Sequence, residues 1–478
     1  MLLSELSPDG APVEITALAY DSRAAGPGTL FFAVTGARSD GHEHAVEAVR
    51  RGASALVVER PLSLGVPELQ VASVREAMAP LAARFYGDPS GALRVIGITG
   101  TNGKTTTAFL TRQILEAAGE PCALLGTVKS VIGGVDGEVI RTTPEAIDLQ
   151  ASFAAMRDAG DRACAMEVSS HALALHRADA IHFAAAVFTN LTQDHLDFHP
   201  DMEAYFAAKR ILFEAAPAIA VVNADDPYGR RLLDDLPDAI SYAIDAPAAY
   251  RASDLRSGIA EARFTVLAPD GALSVATRLP GAFNVANALA AVAVTHELGV
   301  PLEQIADALA AATPAPGRFQ ALDEGQPFAV LIDYAHTPDS LDNVLRAARD
   351  LTEGRLICVF GCGGDRDRGK RAQMGRISSE LADISIVTSD NPRSEDPHAI
   401  IDEILAGVES GVEHAVAAIV ERRAAIAHAI SLARSGDVVV IAGKGHEQGQ
   451  EFADGTKIPF DDASVAREQL RPAAAQAQ

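Results

Sequence analysis

One stretch of this sequence has the residue types that bind the phosphates of a nucleotide. The segment Gly97-Ile-Thr-Gly-Thr-Asn-Gly-Lys-Thr-Thr-Thr107 follows an apolar run and precedes a predicted helix over 108–118. Glycines let backbone N–H groups turn toward phosphate oxygens, the helix N-terminus adds partial positive charge, and a lysine reaches the terminal phosphates. The candidate phosphate-binding residues are Gly100, Thr101, Asn102, Gly103, Lys104, Thr105 and Thr106. Ile98 stands where the common loop has its first glycine, and a glycine-rich turn without a ligand is the alternative.

A second group of polar residues follows two more predicted strands. The segment Glu167-Val-Ser-Ser-His171 ends one strand, and Asn190-Leu-Thr-Gln-Asp-His195-Leu-Asp-Phe-His199 ends the next. Oxygen ligands with an occasional imidazole suit Mg²⁺ near a triphosphate, and Zn²⁺ is disfavoured because this cluster has no thiolate. Each histidine taken singly would more often be a hydrogen-bonded loop residue. For Lys209, on a helical run just beyond, the pattern alone favours a solvated helix face.

Strands of an α/β fold must position these motifs. Short Val/Ile-rich runs recur, each followed by a polar or glycine-rich loop and an Ala-rich stretch of helical period, which is typical of βαβ units and mostly parallel sheets. Ligands bind beyond the carboxyl ends of such strands, where nearly all the polar clusters fall. The predicted strands span residues 93–99, 163–168, 184–189, 218–223, 330–333, 356–360, 384–388 and 438–442.

Length and turn residues predict three domains. The 478 residues correspond to three domains at about 150 residues each. Turn-forming segments at 86–91 and 314–317 precede predicted strands, which is where linkers are expected. We therefore predict domains over residues 1–88, 89–316 and 317–478.

Composition excludes several classes of function. The 40 Lys and Arg against 64 Asp and Glu give a net charge of −24, which argues against nucleic acid or an anionic membrane as the main partner. Four cysteines in so long a chain cannot form the disulfide framework of a small secreted domain, so reduced thiols are expected. No apolar run approaches the ~18 residues that span a bilayer, and the first residues lack the basic region of a signal peptide. We expect a cytoplasmic protein.

Taken together, these motifs resemble the ATP-dependent Mur ligases. The resemblance runs from Asp21-Ser-Arg23 to the last motif below, which is nearly the whole chain. Further segments similar to that family are Asn223-Ala-Asp-Asp226, Phe283-Asn-Val-Ala-Asn287, Pro316-Gly-Arg-Phe319, Asp333-Tyr-Ala-His-Thr-Pro338, Gly361-Cys-Gly-Gly-Asp-Arg-Asp367, Asp390-Asn-Pro-Arg393 and Gly443-Lys-Gly-His-Glu447. The resemblance implies an N-terminal UDP-binding α/β domain, a central P-loop ATPase domain and a C-terminal Rossmann-like domain that brings in an amino acid.

The resemblance also implies a reaction. The sequence is similar to those family members that add meso-diaminopimelate to the γ-carboxylate of UDP-N-acetylmuramoyl-L-alanyl-D-glutamate. In those members the reaction passes through an acyl phosphate and belongs to peptidoglycan precursor synthesis. The implied cofactors are ATP, two Mg²⁺ ions and a CO₂-derived carbamate on Lys209. We expect a monomer whose partners are these small-molecule substrates.

The same resemblance implies roles for individual residues. Lys104, Glu167, His195 and Lys209 are the implied catalytic residues, and Thr105, Glu167, His195 and carbamylated Lys209 are the implied metal ligands. The implied contacts of ATP outside the phosphate loop are Asn287, Arg318 and Asp333, and those of the UDP-linked dipeptide are Ser22, Thr142, Thr143, Ser169 and Arg177. Leu175 stands where some relatives have a glutamine. Without the resemblance, Asn287, Arg318 and Asp333 would be interpreted as a helix cap, an exposed linker charge and a strand-end aspartate.

The implied amino-acid site centres on Asp390, Asn391, Pro392 and Arg393. Diaminopimelate has the chain of lysine plus a second carboxylate, which a guanidinium can hold by two parallel hydrogen bonds. With lysine bound we expect a buried Arg393 to face no anion, a cost that would reject lysine. Arg366 matches a second carboxylate contact, while Gly443 and Glu447 match the group that holds the distal ammonium. The local alternative for 390–393 is an ordinary turn with a solvated arginine.

Several other functions share parts of this pattern. A phosphate loop alone also fits GTPases, kinases and ATPase motors. A folylpolyglutamate synthetase or a Mur ligase for another stem position is opposed by the motifs at 390–393 and 443–447. A regulatory or scaffold protein without catalysis would lack the metal-binding residues, which are present here. A simple kinase would not need the C-terminal segment.

Overall fold

The computed structural model describes residues 1–36, 39–259, 261–408 and 415–475. Its α-helices, in chain order, are α1 (Leu3–Leu6), α2 (Ala45–Arg50), α3 (Val74–Phe85), α4 (Lys104–Ala117), α5 (Ala146–Ala159), α6 (Ser170–Ala174), α7 (Met202–Glu214), α8 (Pro227–Asp235), α9 (Ala282–Glu297), α10 (Leu302–Ala311), α11 (Pro338–Asp350), α12 (Gly369–Leu381), α13 (Pro397–Leu405), α14 (Arg422–Leu432) and α15 (Asp462–Ala475).

The strands alternate with these helices along much of the chain. They are β1 (Ala17–Ala19), β2 (Thr29–Phe32), β3 (Ala55–Val58), β4 (Glu68–Gln70), β5 (Arg94–Thr99), β6 (Cys122–Leu125), β7 (Ser130–Ile132), β8 (Val135–Gly137), β9 (Ala163–Glu167), β10 (Phe183–Phe188), β11 (Ile219–Asn223), β12 (Ile240–Ala243), β13 (Tyr250–Ser257), β14 (Ala262–Ala268), β15 (Gly271–Thr277), β16 (Gln320–Leu322), β17 (Ala329–Asp333), β18 (Leu356–Phe360), β19 (Ile384–Val387), β20 (Ala415–Ala418), β21 (Val438–Ala442), β22 (Gly449–Glu451) and β23 (Lys457–Pro459).

The eight strands predicted from apolar runs are all present, each within one residue of its predicted ends. The predicted helix over 108–118 is wrong at its start, because α4 begins at Lys104. Three consecutive threonines follow Lys104, and β-branched residues favour helices only weakly. Here Thr105, Thr106 and Thr107 are buried, so tertiary packing outweighs that local preference.

Contacts divide the chain into two compact units. The first consists of Met1–Gly100, Leu115–Phe188 and Glu203–Val221, and the second of Thr101–Ile114, Thr189–Met202 and Val222–Gln478. The domain boundaries predicted at 88/89 and 316/317 stay a prediction.

The first unit contains two sheets. In the N-terminal sheet β1, β2, β3 and β4 are neighbours in that order and all run parallel. Leu30 and Phe32 of β2 pack into one core with residues of α1, α3 and α5, and Phe31 packs into a second core with residues of α2. In the other sheet β10, β5, β9 and β6 are parallel neighbours, and β6, β7 and β8 continue it antiparallel. These parallel strands end next to Gly100 and at Glu167, as expected for a site at their carboxyl edge.

The second unit contains the C-terminal sheet, whose strand order is β16-β17-β21-β18-β19-β20. All pairs are parallel except that of β16 with β17. Both faces are apolar and buried, one by α11, α12 and α13 and the other by α14 and α15. The motifs beginning at Asp333, Gly361, Asp390 and Gly443 follow β17, β18, β19 and β21, so they lie at one edge of the sheet. The same unit holds β12 parallel to β13, with β13, β14 and β15 antiparallel, and the β22–β23 hairpin.

Composition predicted reduced cysteines and no bilayer-spanning apolar run. All four cysteines are buried free thiols. In the ranges that the structure describes, no helix has both the length and the apolar composition needed to cross a membrane.

Candidate active site

The phosphate-loop candidate is a tight turn between β5 and α4. Gly100 and Gly103 have φ angles of 150° and 87°, which residues with a side chain rarely adopt. A Cβ on Gly103 would overlap Oδ1 of Asn287. Lys104 is the first residue of α4, and its Nζ donates a hydrogen bond to the carbonyl of Thr101 at 2.8 Å. A strand, a glycine turn and a helix N-terminus therefore follow each other as nucleotide binding requires.

The loop is bonded to the segment that follows β10. The backbone N–H of Thr101 donates to the carbonyl of Asn190 at 2.9 Å, and that of Asn102 donates to Asn190 Oδ1 at 2.8 Å. The backbone N–H of Thr192 donates to Thr101 Oγ1 at 3.0 Å, and Thr189 Oγ1 donates to the carbonyl of Asn102 at 2.6 Å. The first motif and the second half of the predicted metal cluster are thus brought together.

His195 lies on this second segment in a left-handed conformation, with φ of 55°. Its backbone N–H donates to Asp194 Oδ1 at 2.8 Å, and its Nε2 lies 3.4 Å from Asp194 Oδ2. The imidazole is 40% exposed. A carboxylate beside the ring fixes the orientation of a histidine ligand, and Asp194 supplies one. Asp194 is part of the 190–199 motif, but the motif alone did not indicate that Asp194 orients His195.

The residues predicted to contact ATP from α9 and the 316–319 segment lie near the same loop. Asn287 is buried in the interior of α9, so the helix-cap alternative is wrong. Arg318 Nη2 lies 3.4 Å from Thr105 Oγ1, and the Arg318 guanidinium stacks 4.4 Å from the centroid of the Tyr334 ring. The exposed-charge alternative for Arg318 is therefore wrong as well. Thr106 follows Thr105 in α4 and is buried.

Asp333 ends β17 and is buried. Its carboxylate accepts backbone hydrogen bonds from Phe319 at 2.6 Å and Ala335 at 2.7 Å. Burial raises the pKa of the Asp333 carboxyl, while Arg318 and these two N–H groups oppose the rise. Asp333 holds the turn that carries Arg318, which fits the strand-end position noted in the sequence.

Lys209 is 1% exposed, so the interpretation as a solvated helix face is wrong. Its Nζ donates to the carbonyl of Gly100 at 2.8 Å and lies 4.6 Å from the centroid of the Tyr205 ring. The Lys209 side chain is therefore held at the carboxyl end of β5. The phosphate loop begins at this point of the sequence.

Glu167 ends β9 and is buried beside residues predicted to bind the UDP-linked substrate. Its Oε1 accepts from the backbone N–H of Thr127 at 2.7 Å and its Oε2 from Thr127 Oγ1 at 3.1 Å. Thr127 Oγ1 is 3.0 Å from Thr142 Oγ1, and Thr143 Oγ1 donates to the carbonyl of Glu167 at 2.9 Å. Ser169 caps α6 and its hydroxyl lies 3.4 Å from Thr143 Oγ1.

Arg177 joins this group through Glu145, a carboxylate that lies in none of the sequence motifs. Its Nη1 lies 3.4 Å from the carbonyl of Thr143, and its Nη2 pairs with Glu145 Oε1 at 2.9 Å. Glu145 is buried, and Arg75 lies 3.4 Å from its other oxygen. Ser22 opens a short 3₁₀ turn, and no hydrogen bond within the described residues joins it to the other four predicted contacts of this substrate.

The motifs at 390–393 and 443–447 meet at the edge of the C-terminal sheet. Lys444 is 0% exposed and its Nζ donates to Asn391 Oδ1 at 2.8 Å and to Glu447 Oε2 at 3.0 Å. Asn391 Nδ2 donates to the same oxygen of Glu447 at 2.8 Å. The backbone N–H of Glu451 donates to Asn391 Oδ1 at 2.9 Å. The amide of Asn391 is thereby oriented from both ends.

Arg393 is 22% exposed and has a left-handed backbone with φ of 50°. Its Nη1 donates to the carbonyl of Gly364 at 2.8 Å, and its Nε lies 3.1 Å from Glu451 Oε2. The expectation that Arg393 would face no anion with lysine bound is therefore wrong, because Glu451 from β22 supplies one. The alternative of a solvated arginine is wrong too. Arg366 lies exposed on the loop after β18.

Asp390 and Gly443 are packed against each other. A Cβ on Gly443, whose φ is 115°, would lie 2.7 Å from Asp390 Oδ2. That oxygen is also 3.9 Å from Nη1 of the buried Arg422, which pairs with Asp462 at 2.7 Å. Pro392, another predicted residue of this motif, is buried. A glycine is required at 443 by both the backbone and the space.

The four predicted metal ligands divide between the two units. Glu167 and Lys209 belong to the first, and Thr105 and His195 to the second. In the part of the chain that the structure describes, no three residues of the types His, Cys, Asp and Glu are grouped as a metal would need. Convergence of the four ligands stays a prediction.

Three family descriptions match this chain in succession. Residues 14–86 match the Mur ligase family catalytic domain, 98–295 the Mur ligase middle domain, and 317–445 the Mur ligase glutamate ligase domain. The chain belongs to the Mur ligase family. The predicted fold class, an α/β protein with three Mur ligase domains and mostly parallel sheets, is confirmed.

Individual relatives within the Mur ligase family match along nearly the full chain. A Syntrophomonas wolfei protein named "UDP-N-acetylmuramoyl-L-alanyl-D-glutamate--2,6-diaminopimelate ligase" is 47% identical over 96% of this chain and 95% of its own length. A Solibacter usitatus protein of the same name is 47% identical over 98% of this chain and 95% of its own length. A solved structure titled with that enzyme name has a TM-score of 0.71 at 33% identity, covering 100% of this chain and 99% of its own.

Proposed function

We propose that this Mur ligase joins 2,6-diaminopimelate to the D-glutamate γ-carboxylate of UDP-N-acetylmuramoyl-L-alanyl-D-glutamate, at the expense of ATP, in peptidoglycan precursor synthesis. The observation that carries the proposal is the placement of a guanidinium, Arg393, and a carboxylate, Glu447, at one sheet edge, where Glu447 accepts from Asn391 and Arg393 follows Asn391 by two residues. That pair is complementary to the carboxylate and ammonium at the far end of diaminopimelate. The relatives named above support the same reaction.

The far end of the amino acid would be held by atoms that internal contacts leave available. Glu447 Oε2 already accepts from Lys444 and Asn391, whereas Oε1 makes no hydrogen bond among the described residues. Arg393 uses Nη1 and Nε internally, and its Nη2 makes no hydrogen bond within the same ranges. We propose that Oε1 accepts from the distal ammonium and that Nη2 donates to the distal carboxylate.

The first chemical step brings two anions together. An oxygen of the γ-carboxylate attacks the γ-phosphorus of ATP, the bond to the bridging β–γ oxygen breaks, and ADP leaves behind an acyl phosphate. We propose that Lys104, the N–H groups at the start of α4, and Arg318 reduce the repulsion between the two anions. In the second step the amine of diaminopimelate attacks the acyl carbon, its nitrogen loses a proton to solvent, and phosphate leaves from the tetrahedral intermediate as the amide forms.

We propose Thr105, Glu167, His195 and Lys209 as the residues that hold Mg²⁺. When bound, Mg²⁺ neutralises charge on the phosphate oxygens. Only two of these residues are of the types His, Cys, Asp and Glu, so oxygens of the phosphates would complete the coordination shell, which suits this hard cation. The buried Lys209 fits a carbamate, because a carbamate retains an N–H that can donate to the carbonyl of Gly100.

We propose that the protein acts as a monomer. We also propose that it acts in the cytoplasm, where ATP and UDP-linked substrates are available.

The experiment is a phosphate-release assay with purified protein, ATP, Mg²⁺ and the UDP-linked dipeptide. We expect phosphate release only when meso-diaminopimelate is added, with a tripeptide product detected by mass spectrometry. Lys104→Ala serves as the inactive control. Comparable turnover with L-lysine would contradict the proposed amino-acid specificity, and turnover with no amino acid at all would contradict the ligase reaction.

A further inference from the structure

One carboxylate from helix α11 contacts two loops of the nucleotide site. Oδ2 of Asp339, in the first turn of α11, accepts from Asn102 Nδ2 at 2.8 Å and from Thr192 Oγ1 at 2.8 Å. It also accepts from Asn343 Nδ2, one turn along the same helix, at 3.1 Å. The first two partners lie 237 and 147 residues away in the sequence, so these are tertiary contacts of the second unit.

Helix α11 does not need this carboxylate for its own N-terminus. Thr337 is the N-cap residue, and its hydroxyl accepts from the backbone N–H of Ser340 at 3.2 Å. Ser340 Oγ in turn accepts from the backbone N–H of Thr337 at 3.0 Å, which completes a capping box. Asp339 is therefore available for contacts beyond the helix, and it makes them with the phosphate loop.

The two side chains that donate to Asp339 from outside α11 belong to two loops that are bonded to each other. Asn102 and Thr192 belong to the segments already joined by Thr101 and Asn190 through backbone and side-chain bonds. A bond from Asp339 to each segment attaches both segments to a third element, helix α11. The loops that contain Asn102 and Thr192 are thereby fixed in position by Asp339, which lies C-terminal to the predicted linker at 314–317.

We propose that Asp339 is a positioning residue for nucleotide binding, which acts through Asn102 and Thr192. The C-terminal segment then contributes to ATP affinity by ordering the phosphate loop, besides its part in binding the amino acid. The inference rests on the ATP binding in the proposed function and adds a residue that orders the loop.

The test is direct measurement of ATP binding, for example by calorimetry, with the full-length protein and its Asp339→Ala and Asp339→Asn variants. Hydrogen bonds to a charged group are strong, and Asp339→Ala removes both at once, so we expect about tenfold weaker binding or more. Asp339→Asn retains an acceptor oxygen and should stay within about threefold of the unchanged protein. Asp342→Ala, on the same helix with a surface partner in Arg346, is the matched control and should bind normally.

A double-variant cycle with Thr192→Val separates positioning from general damage. Thr192→Val alone should weaken ATP binding, and adding it to Asp339→Ala should cost less than the product of the two separate losses, because they share one bond. The KM for the UDP-linked dipeptide should not change. Independent losses in the cycle, normal ATP binding by Asp339→Ala, or equally weak binding by Asp339→Asn would each overturn the proposal.

The outcome is distinguishable from failure of the proposed function. ATP binding is measured without amino acid, so a protein that binds ATP but forms no amide with diaminopimelate would contradict the reaction and leave this test intact. If Asp339→Ala does not fold, as judged by its melting curve, Thr192→Val decides, and ATP binding unchanged in that variant would overturn the proposal.

Discussion

The substitution Lys444→Met tests how the amino-acid site is built. Lys444 is buried and joins Asn391 to Glu447 through two hydrogen bonds of 2.8 and 3.0 Å. Methionine has a similar length and no charge, so it fills the space but cannot donate. We expect Glu447 and Asn391 to lose their fixed orientation while the surrounding sheet remains folded.

The magnitude follows from what each partner retains. A hydrogen bond involving a charged group contributes about 1.5–3 kcal/mol. Asn391 Oδ1 keeps the bond from the backbone of Glu451, and Glu447 is 31% exposed, so water replaces part of the loss. The net free-energy cost of Lys444→Met in the amino-acid site is therefore about 2–3 kcal/mol. This cost corresponds to a fall of about 30- to 150-fold in kcat/KM for meso-diaminopimelate.

The assay is steady-state phosphate release with meso-diaminopimelate varied at saturating ATP and UDP-linked dipeptide. We expect the KM for diaminopimelate to rise and the KM for ATP to stay within about twofold, because the Lys444 contacts lie in the amino-acid cluster. Lys457→Met, an exposed lysine on β23, is the matched control. Lys444→Arg should recover part of the activity. An equal rise in both KM values, or a change of less than about threefold in kcat/KM, would refute this reasoning.

Two further predictions concern the phosphate loop and acid stability. Gly103→Ala should reduce ATP binding by about 100-fold or more, since a Cβ would overlap Asn287, whereas Gly119→Ala, with a similar φ of 82° and open space, should bind ATP normally. Equal ATP affinity in the two variants would contradict the proposed overlap between a Cβ at position 103 and Asn287. Arg371 lowers the pKa of Glu395 from 4.5 to about 2, so this carboxylate stabilises the fold above pH 4.5, and the stabilisation is lost as the pH falls toward 2. The difference in urea midpoint between the unchanged protein and Glu395→Gln should therefore be larger at about pH 7 than at about pH 3, and a constant difference would rule this out.

Local sequence was sufficient for the elements that depend on local properties. All eight predicted strands form, because an uninterrupted apolar run is buried on both faces of a parallel sheet wherever it lies in the chain. The motifs after β17, β18, β19 and β21 share one edge for the same reason, since parallel neighbours end on the same side. The start of α4 at Lys104 cannot be predicted from local sequence, because three threonines have a weak helix preference that packing outweighs.

Partnerships between distant residues were decided only by the tertiary structure. The pattern around Lys209 favours a solvated helix face, yet the side chain is buried, because periodicity does not indicate what packs against a given helix face. Glu451 pairs with Arg393 although it lies outside any recognised motif, and this contact removed the expected unpaired charge. Asp339 contacts Asn102 across 237 positions.

The sequence by itself thus determined the fold class, the order of the motifs and the family resemblance, because these depend on residue type and spacing along the chain. The tertiary structure decided which carboxylate orients which cation, namely Glu145 for Arg177, Glu451 for Arg393 and Glu447 for Lys444. The physical reason is that the strength of an ion pair or hydrogen bond depends on separation in space and on burial, and neither can be read from separation in sequence.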